Sequence, residues 1–328
     1  MSAPQTAAAP AVGRRRVYWQ AGLAVALLVG AVCLARRHWP AVADGASRLA
    51  GADHGWLLVA AVAALGTWAA AALAQQGAVP EPLPVRRLLA AQFAASSANH
   101  LLPVGLGAGA VNLRFLMRCG LTTGRSATAL AVKTTASAVV RCALIAVLAL
   151  ARPGVLRMPH VPGAVLAALL GCAALLGCAA LLGCAALLAV VPRTRLWPRC
   201  LRALTAVSAD VRAVHARPRR ATALWGGSLA FVLLHSLVLI CVTQAVELPL
   251  GPVRVTLLYL AASSTAALLP TPGGFGSLDA ALAFALTLGG ASAAGAASVV
   301  LGYRLLTVWL PLLPGLAVLG VLVRRRAL

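Results

Sequence analysis

The sequence predicts an all-α, polytopic integral membrane protein, and three observations predict it. Of 328 residues, 61% are hydrophobic and only 10% are charged, with a mean hydropathy of +0.92. Soluble domains are about 45–50% apolar and about a quarter charged. Several stretches also exceed the ~18 apolar residues that mark a membrane-crossing helix. The polar stretches between them are short. The longest, 192–221, is too small to fold as a separate soluble domain of ~50 residues or more.

The clear apolar spans are about 17–34, 55–75, 126–151, 161–191, 222–246 and 303–323. Residues 1–16 are expected to be a disordered cytoplasmic tail, and 17–328 a single transmembrane domain. Arg14, Arg15 and Arg16 precede the first span. It reads as a signal anchor, because the run is long and the rest of the chain is also apolar. Two apolar regions remain. Residues 88–125 are apolar up to Leu102, then meet a Pro/Gly break and Arg114. Residues 254–290 are split by Pro270-Thr271-Pro272-Gly273-Gly274. Each piece is short for a span, and proline with glycine interrupts a helix. Both regions are therefore expected to be re-entrant helical hairpins. Broken backbone at membrane depth needs cover from protein or a wet cavity.

A net charge of +22 arises from 28 basic and 6 acidic side chains. In a soluble protein this would point to nucleic acid. Here the basic residues flank apolar spans, so they read as topology signals and contacts to anionic lipid headgroups, and no nucleic-acid partner is expected. With the N-terminus inside, cytoplasmic segments carry 19 basic residues and the opposite segments 7. That bias places both termini in the cytoplasm of a bacterial cell membrane. Cys172, Cys178 and Cys184 recur every six residues, so successive thiols point ~240° apart on a helix and cannot share a metal. No metal and no other cofactor is expected.

An internal repeat organises the chain. Residues 94–103 read AASSANHLLP and residues 261–270 read AASSTAALLP, identical at seven of ten positions at an offset of 167. A Gly-x-Gly follows each copy: Gly105-Leu106-Gly107 and Gly274-Phe275-Gly276. Both copies fall on the broken regions. The pseudo-repeats are 17–151 and 161–323, each with two spans, a hairpin and a third span. Three spans is an odd number, so the second half is expected to be inverted. Inverted repeats with broken helices mark alternating-access transporters, whose sites lie near the midplane.

The candidate site follows from polar residues placed in apolar sequence, since a charge there costs about 2.5–3.5 kcal/mol on insertion scales. Lys133 and Arg141 lie eight apart on one span, about 80° around the helix. They either bind an anion or satisfy backbone carbonyls. Arg304 opens the last span and Arg114 follows the first hairpin; each either binds a headgroup or snorkels to the interface. Asp279 follows the second hairpin, where it either orients an arginine or caps a helix. A mostly basic set with one carboxylate suits an anionic headgroup, and arginine makes bidentate phosphate contacts. Asn99 and His100 sit at the first break, where the second copy has Ala266 and Ala267; Asn99 joins the substrate-binding set. The hairpin tips are Pro103, Gly105 and Gly107 in the first copy, and Pro270, Pro272, Gly273, Gly274 and Gly276 in the second. Glycine there lets backbone amides approach a ligand. No paired carboxylates and no HExxH, Walker A or GxSxG motif occur, so no catalytic residue is assigned and no enzyme activity is expected.

Pro272-Gly273-Gly274-Phe275-Gly276-Ser277-Leu278-Asp279 resembles the "PGG-x-G-x-x-E" signature of the lysylphosphatidylglycerol synthase transmembrane-region family, the flippase-like domain. Asn99-His100-Leu101-Leu102-Pro103-Val104-Gly105-Leu106-Gly107, with Arg114 beyond, resembles that family's upstream "N-x-L-x-P-x-x-x-G" segment, and Tyr303-Arg304 with Trp309 and Pro311 resembles its last span. Two departures stand out. The family acid, usually Glu, is Asp279 here, and the acid usual after the first Gly-rich turn is missing from Gly107-Ala108-Gly109-Ala110-Val111. The resemblance implies a relative of the flippase portion of bifunctional aminoacyl-lipid synthases, whose transfer chemistry resides in a separate C-terminal domain. The chain ends at Arg324-Arg325-Arg326-Ala327-Leu328, so that activity is expected to be absent. The expected function is movement of an anionic phospholipid or lipid-linked headgroup across the membrane. The alternative is a non-transporting scaffold for a glycolipid or cell-envelope enzyme, with membrane lipids and such a protein as partners.

Overall fold

In the computed structural model, residues 39–101, 106–151, 209, 212–268 and 276–324 are described. Every element among them is helical: α1 (Trp39–Ala50), α2 (His54–Gly77), α3 (Val85–Leu101), α4 (Leu106–Arg118), α5 (Thr123–Ala151), α6 (Pro218–Ala245), α7 (Pro252–Leu268), α8 (Ser277–Leu288), α9 (Ala293–Arg304), a π-helical turn (Leu305–Trp309) and α10 (Leu310–Arg324). Helices α2, α5, α6 and the continuous run Ala293–Leu322 are long and apolar enough to cross a membrane. The expected spans 55–75, 126–151 and 222–246 fall on α2, α5 and α6. The expected spans 17–34 and 161–191, the tail 1–16 and the cysteine repeat lie outside the described residues.

One expected boundary is corrected. The last span begins at Ala293, not at 303. Ser292 caps it by accepting a 3.1 Å hydrogen bond from the Gly295 amide. The opening residues Ala293-Ala294-Gly295-Ala296-Ala297-Ser298 are small rather than strongly hydrophobic, so hydropathy alone hides them. Arg304 therefore lies about 16 Å inside the helix at 1.5 Å per residue, instead of opening it. The first helix, α1, is a second difference. It occupies what reads in sequence as a polar connection, and its Leu49 packs over Gly302 of α9.

Both Pro/Gly-interrupted regions carry one helix on each side. Helices α3 and α4 flank residues 102–105, and α7 and α8 flank 269–275. Each pair packs antiparallel. Gly107 lies so close to Ala98 that a Cβ would fall 2.0 Å from its carbonyl oxygen. Farther from the break on both helices, Gln92 meets Asn112. In the second unit, Gly289 at the end of α8 touches Leu258 of α7, and Arg254 donates to the Gly289 carbonyl at 3.3 Å.

The spans themselves are packed with small residues inward. Lipid tails are as apolar as leucine, so helices in a bilayer associate by close backbone approach rather than by hiding large side chains. On α2, Ala60, Ala63, Ala64, Ala70 and Ala74 are buried, while Leu58, Val62 and Leu65 are at least 60% exposed. Helix α6 runs antiparallel against this small face: Gly66 meets Leu234, Gly227 meets Ala70 and Ala74, and Gly77 meets Leu224. A Cβ on Gly227 would lie 2.5 Å from the Ala74 nitrogen, and one on Gly77 would lie 2.2 Å from the Leu224 nitrogen. The ends are tied by polar contacts. Arg220 donates to the Gln76 carbonyl at the α2 C-terminus at 2.9 Å, and Asp53 caps the α2 N-terminus through the Gly55 amide at 2.6 Å.

Because the clash partners at Gly227 are backbone atoms, even a methyl group cannot be absorbed by a rotamer change. Gly227→Ala is expected to lose about 1–3 kcal/mol to overpacking. Gly226→Ala, where a Cβ meets nothing within 4 Å, is expected to be neutral. Thermal unfolding of the two variants in detergent checks the difference.

Candidate functional site

A cavity of about 280 Å³ opens where α2, α3, α4, α5, α6 and the π turn converge. Its polar wall begins on α3, with Gln92, Ser96, Asn99 and His100. Residues four apart share a helix face, so Gln92, Ser96 and His100 form one stripe. Helix α4 adds Asn112, and α5 adds Lys133 and Ser137, another four-residue spacing. Opposite them, α6 contributes Ser228, Phe231 and His235, and α2 contributes Thr67 and Trp68. Lys133 lies about 15 Å along α5 from Thr123 at 1.5 Å per residue. Thr67 and Phe231 are likewise near the middle of their helices, so the cavity sits deep in the span bundle.

A directed hydrogen-bond chain positions the lysine. The Lys133 ammonium donates to Gln92 Oε1 at 3.1 Å. The other end of that amide, Nε2, donates to Asn112 Oδ1 at 2.6 Å, and Asn112 Nδ2 donates to the Ala108 carbonyl at 2.9 Å. Each amide is therefore locked in orientation, and Gln92 must present its oxygen to the lysine. Among the described residues no carboxylate pairs with Lys133. On α6, the Ser228 hydroxyl is fully buried and has no hydrogen-bond partner among the described residues.

His235 connects the cavity to a second polar layer. Its Nδ1 lies 2.9 Å from the Tyr303 hydroxyl, and its ring stacks with Tyr259 at 6.1 Å. Tyr259 and Tyr303 are themselves ring neighbours at 6.1 Å. Arg141 is close enough for its charge to act on all three. Its Nη1 reaches the Ser263 carbonyl of α7 at 3.5 Å, while its buried Nε has no hydrogen-bond partner. Beside Tyr303, Arg304 makes a two-point ion pair with Asp279: Nε donates to Oδ1, and Nη2 donates to Oδ2 at 3.0 Å. Asp279 Oδ2 also accepts the Gly276 amide at 3.1 Å. One carboxylate thus closes the first turn of α8 and holds the arginine of the next span. Gly276 has φ of +90°, a conformation glycine adopts without a Cβ penalty.

The structure brings Asn99 and Lys133 to the cavity and sets Arg141 in the adjoining aromatic layer. Arg304 and Asp279 lie beyond it, joined to each other. Buried and paired, Arg304 does not snorkel. Arg114 is exposed on α4 and is not brought to the cavity. Of the expected hairpin-tip residues, Gly107 and Gly276 are described; Pro103, Gly105, Pro270, Pro272, Gly273 and Gly274 lie outside the described residues. Gln92, Asn112, Ser228 and His235 were not singled out in the sequence. Gln92 and Ser96 carried a signal in their four-residue spacing, but the partnership of Gln92 with Lys133 spans 41 residues and needs the fold.

The π turn follows from local chemistry. Pro311 has no amide hydrogen, so the Thr307 carbonyl cannot receive its ordinary helical bond. The Leu310 amide instead reaches back five residues to the Leu305 carbonyl. Thr307 Oγ1 donates to the Tyr303 carbonyl at 2.7 Å, and Thr307 itself lines the cavity. Wide turns of this kind recur at functional sites.

Apolar spanning helices around a deep polar cavity define a multi-pass membrane protein. The family model for the lysylphosphatidylglycerol synthase TM region matches residues 19–315. The chain belongs to that family, which supports a role connected with membrane lipids. No curated protein matches the sequence.

The ion pair makes a quantitative prediction. Removing one partner of a buried pair costs about 3–5 kcal/mol. Because the Asp279 side chain is 30% exposed, Asp279→Ala is expected to lose about 2–3 kcal/mol on that scale. Arg304→Ala is expected to be comparable, and the double variant no less stable than the worse single one, because both remove the same contact. Additive losses in thermal unfolding would show that the pair is not the stabilising unit.

Proposed function

We propose that this protein is a lipid flippase-like transporter that moves an anionic phospholipid or lipid-linked headgroup across the cytoplasmic membrane. The observation that carries the reading is the cavity within the span bundle lined by Lys133, with which no carboxylate pairs among the described residues. An uncompensated cation at such depth is costly, and a passing anion would offset that cost. Asn99 and Lys133 would meet the headgroup. Arg141 would supply a second positive charge beyond His235, and Arg304, held by Asp279, would contribute to the positive field rather than by direct contact. Arg114 would attract lipid at the surface. Acyl chains would remain in the bilayer.

The arrangement of halves supports the same reading. In the proposed inverted repeat, α3 at 85–101 corresponds at an offset of 167 to α7 at 252–268, and α2 corresponds to α6. Helix α5, starting at Thr123, corresponds to the run starting at Ala293 at an offset of 170. Corresponding helices α2 and α6 pack antiparallel, as a two-fold axis in the membrane plane requires. The two Pro/Gly-interrupted regions would then be re-entrant hairpins entering from opposite sides, and arginine bias would keep both termini cytoplasmic.

The test uses the full chain in vesicles containing a trace of phosphatidylglycerol labelled on an acyl chain, with a membrane-impermeant quencher outside. Protein-containing vesicles are expected to lose label beyond the outer-leaflet half, and Lys133→Met to slow that loss at least tenfold. Loss no faster than in empty vesicles, or unchanged in a folded Lys133→Met variant, overturns the proposal.

A further inference from the structure

We infer that the cavity selects a headgroup carrying one phosphate and free hydroxyls but no ammonium, an anionic polyol phospholipid rather than an aminoacylated or zwitterionic one. This deepens the transporter reading and rests on it for its biological sense, although the selectivity can be measured by binding alone.

The first argument is the placement of the chain's acids among the described residues. There are six: Asp44, Asp53, Glu81, Asp210, Glu247 and Asp279. Asp210 lies outside the described residues. Asp53 caps α2, Glu81 pairs with Arg125 at 2.7 Å, and Asp279 holds Arg304. Asp44 lies on α1 and Glu247 follows α6, and neither lines the cavity. An ammonium leaving water needs a carboxylate or comparable compensation. No carboxylate lines this cavity among the described residues, and its lysine would repel an ammonium.

The second argument is what the wall can donate and accept. A lysine ammonium has three donors, and the Gln92 contact uses one. The other two fit phosphate oxygens. The locked amides of Gln92 and Asn112 cannot turn to take the lysine away. Thr67 and Thr307 each donate their hydroxyl hydrogen to a backbone carbonyl, at 2.6 and 2.7 Å. With the proton engaged, each oxygen is left only as a neutral acceptor. Ser228, which lines the cavity and is buried with no hydrogen-bond partner among the described residues, has a hydroxyl that can donate and accept. Neutral acceptors in the same lining as a single cation match the hydroxyls of a phosphoglycerol group.

The third argument is size. The cavity volume of about 280 Å³ lies at the low end of the ~300–1,000 Å³ typical of small-molecule pockets. That suits one small headgroup and not a large lipid-linked oligosaccharide. Trp68 and Phe231 also line the cavity and could receive a quaternary ammonium by cation–π contact, so phosphatidylcholine is the most demanding competitor.

The experiment titrates the full chain in detergent with dioctanoyl phosphatidylglycerol, phosphatidylethanolamine, phosphatidylcholine and lysylphosphatidylglycerol, following tryptophan fluorescence. The water-soluble glycerophosphoglycerol and inorganic phosphate serve as competitors. Phosphatidylglycerol is expected to bind at least tenfold more tightly than the other three lipids. Glycerophosphoglycerol should compete better than phosphate. Lys133→Gln should remove the preference, Lys133→Arg restore part of it, and Ser228→Ala weaken binding about threefold. Equal or tighter binding of any ammonium-bearing lipid, or inorganic phosphate competing as well as glycerophosphoglycerol, overturns the inference. Selective binding without lipid movement in vesicles would sink the transporter reading and leave the selectivity standing. Movement of all four lipids at one rate would do the reverse.

Discussion

In a bilayer, helices gain little from hiding large apolar side chains from one another, because the lipid is equally apolar. Everything in this fold depends on the alternative, which is backbone contact through small residues. Gly77 and Gly227 bring α2 and α6 to a distance at which no Cβ fits, and Gly107 does the same between α3 and α4. Gly315 of α10 seats against Ser97 of α3. Large side chains such as Leu58, Leu65 and Val147 are left facing outward. Once the small-residue seams are set, the larger polar side chains between them cannot be packed away, and the cavity is what remains.

Charge at depth is handled by three different means. Arg304 has a carboxylate partner and is structural. Arg141 has a weak carbonyl contact and aromatic neighbours. Lys133 has the neutral amide oxygen of Gln92. Only Arg304 pairs with a carboxylate, and of the two buried cations that pair with none among the described residues, Lys133 is the one that lines the cavity. A purely structural explanation would place the best partner on the deepest charge. In the proposed transporter, the counter-ion for Lys133 arrives with the ligand.

Much of this was legible in the sequence. The class of protein, the limits of α2, α5 and α6, and the two interrupted regions follow from hydropathy and from proline and glycine punctuation, which act locally. The PGG-x-G-x-x-D stretch also announced that Asp279 would cap a helix or hold an arginine, and it does both. What was hidden depends on distant partners. Lys133 stood out as a charge, but the amides that aim it lie on two other helices. The start of α9 was hidden because alanine, glycine and serine carry little hydropathy. The π turn was hidden because Pro311 reads first as a break, whereas the Leu310 amide reaches back to Leu305 and keeps the helix continuous.

The proposed duplication would divide labour between the halves. At corresponding positions of the proposed repeat, Gln92 and Lys133 of the first half stand where Tyr259 and Tyr303 stand in the second, at offsets of 167 and 170. Both are side-chain contacts between corresponding helices, one an amide–ammonium hydrogen bond and the other a pair of tyrosine rings. The first can release donors to an incoming anion. The second is closed on itself, sealed further by His235 and by the Arg304–Asp279 pair next to it. A duplication retained for packing alone would have no reason to make one copy polar and open and the other aromatic and locked. An anion pathway has such a reason, because a site that bound equally tightly in both halves would hold its cargo rather than pass it on.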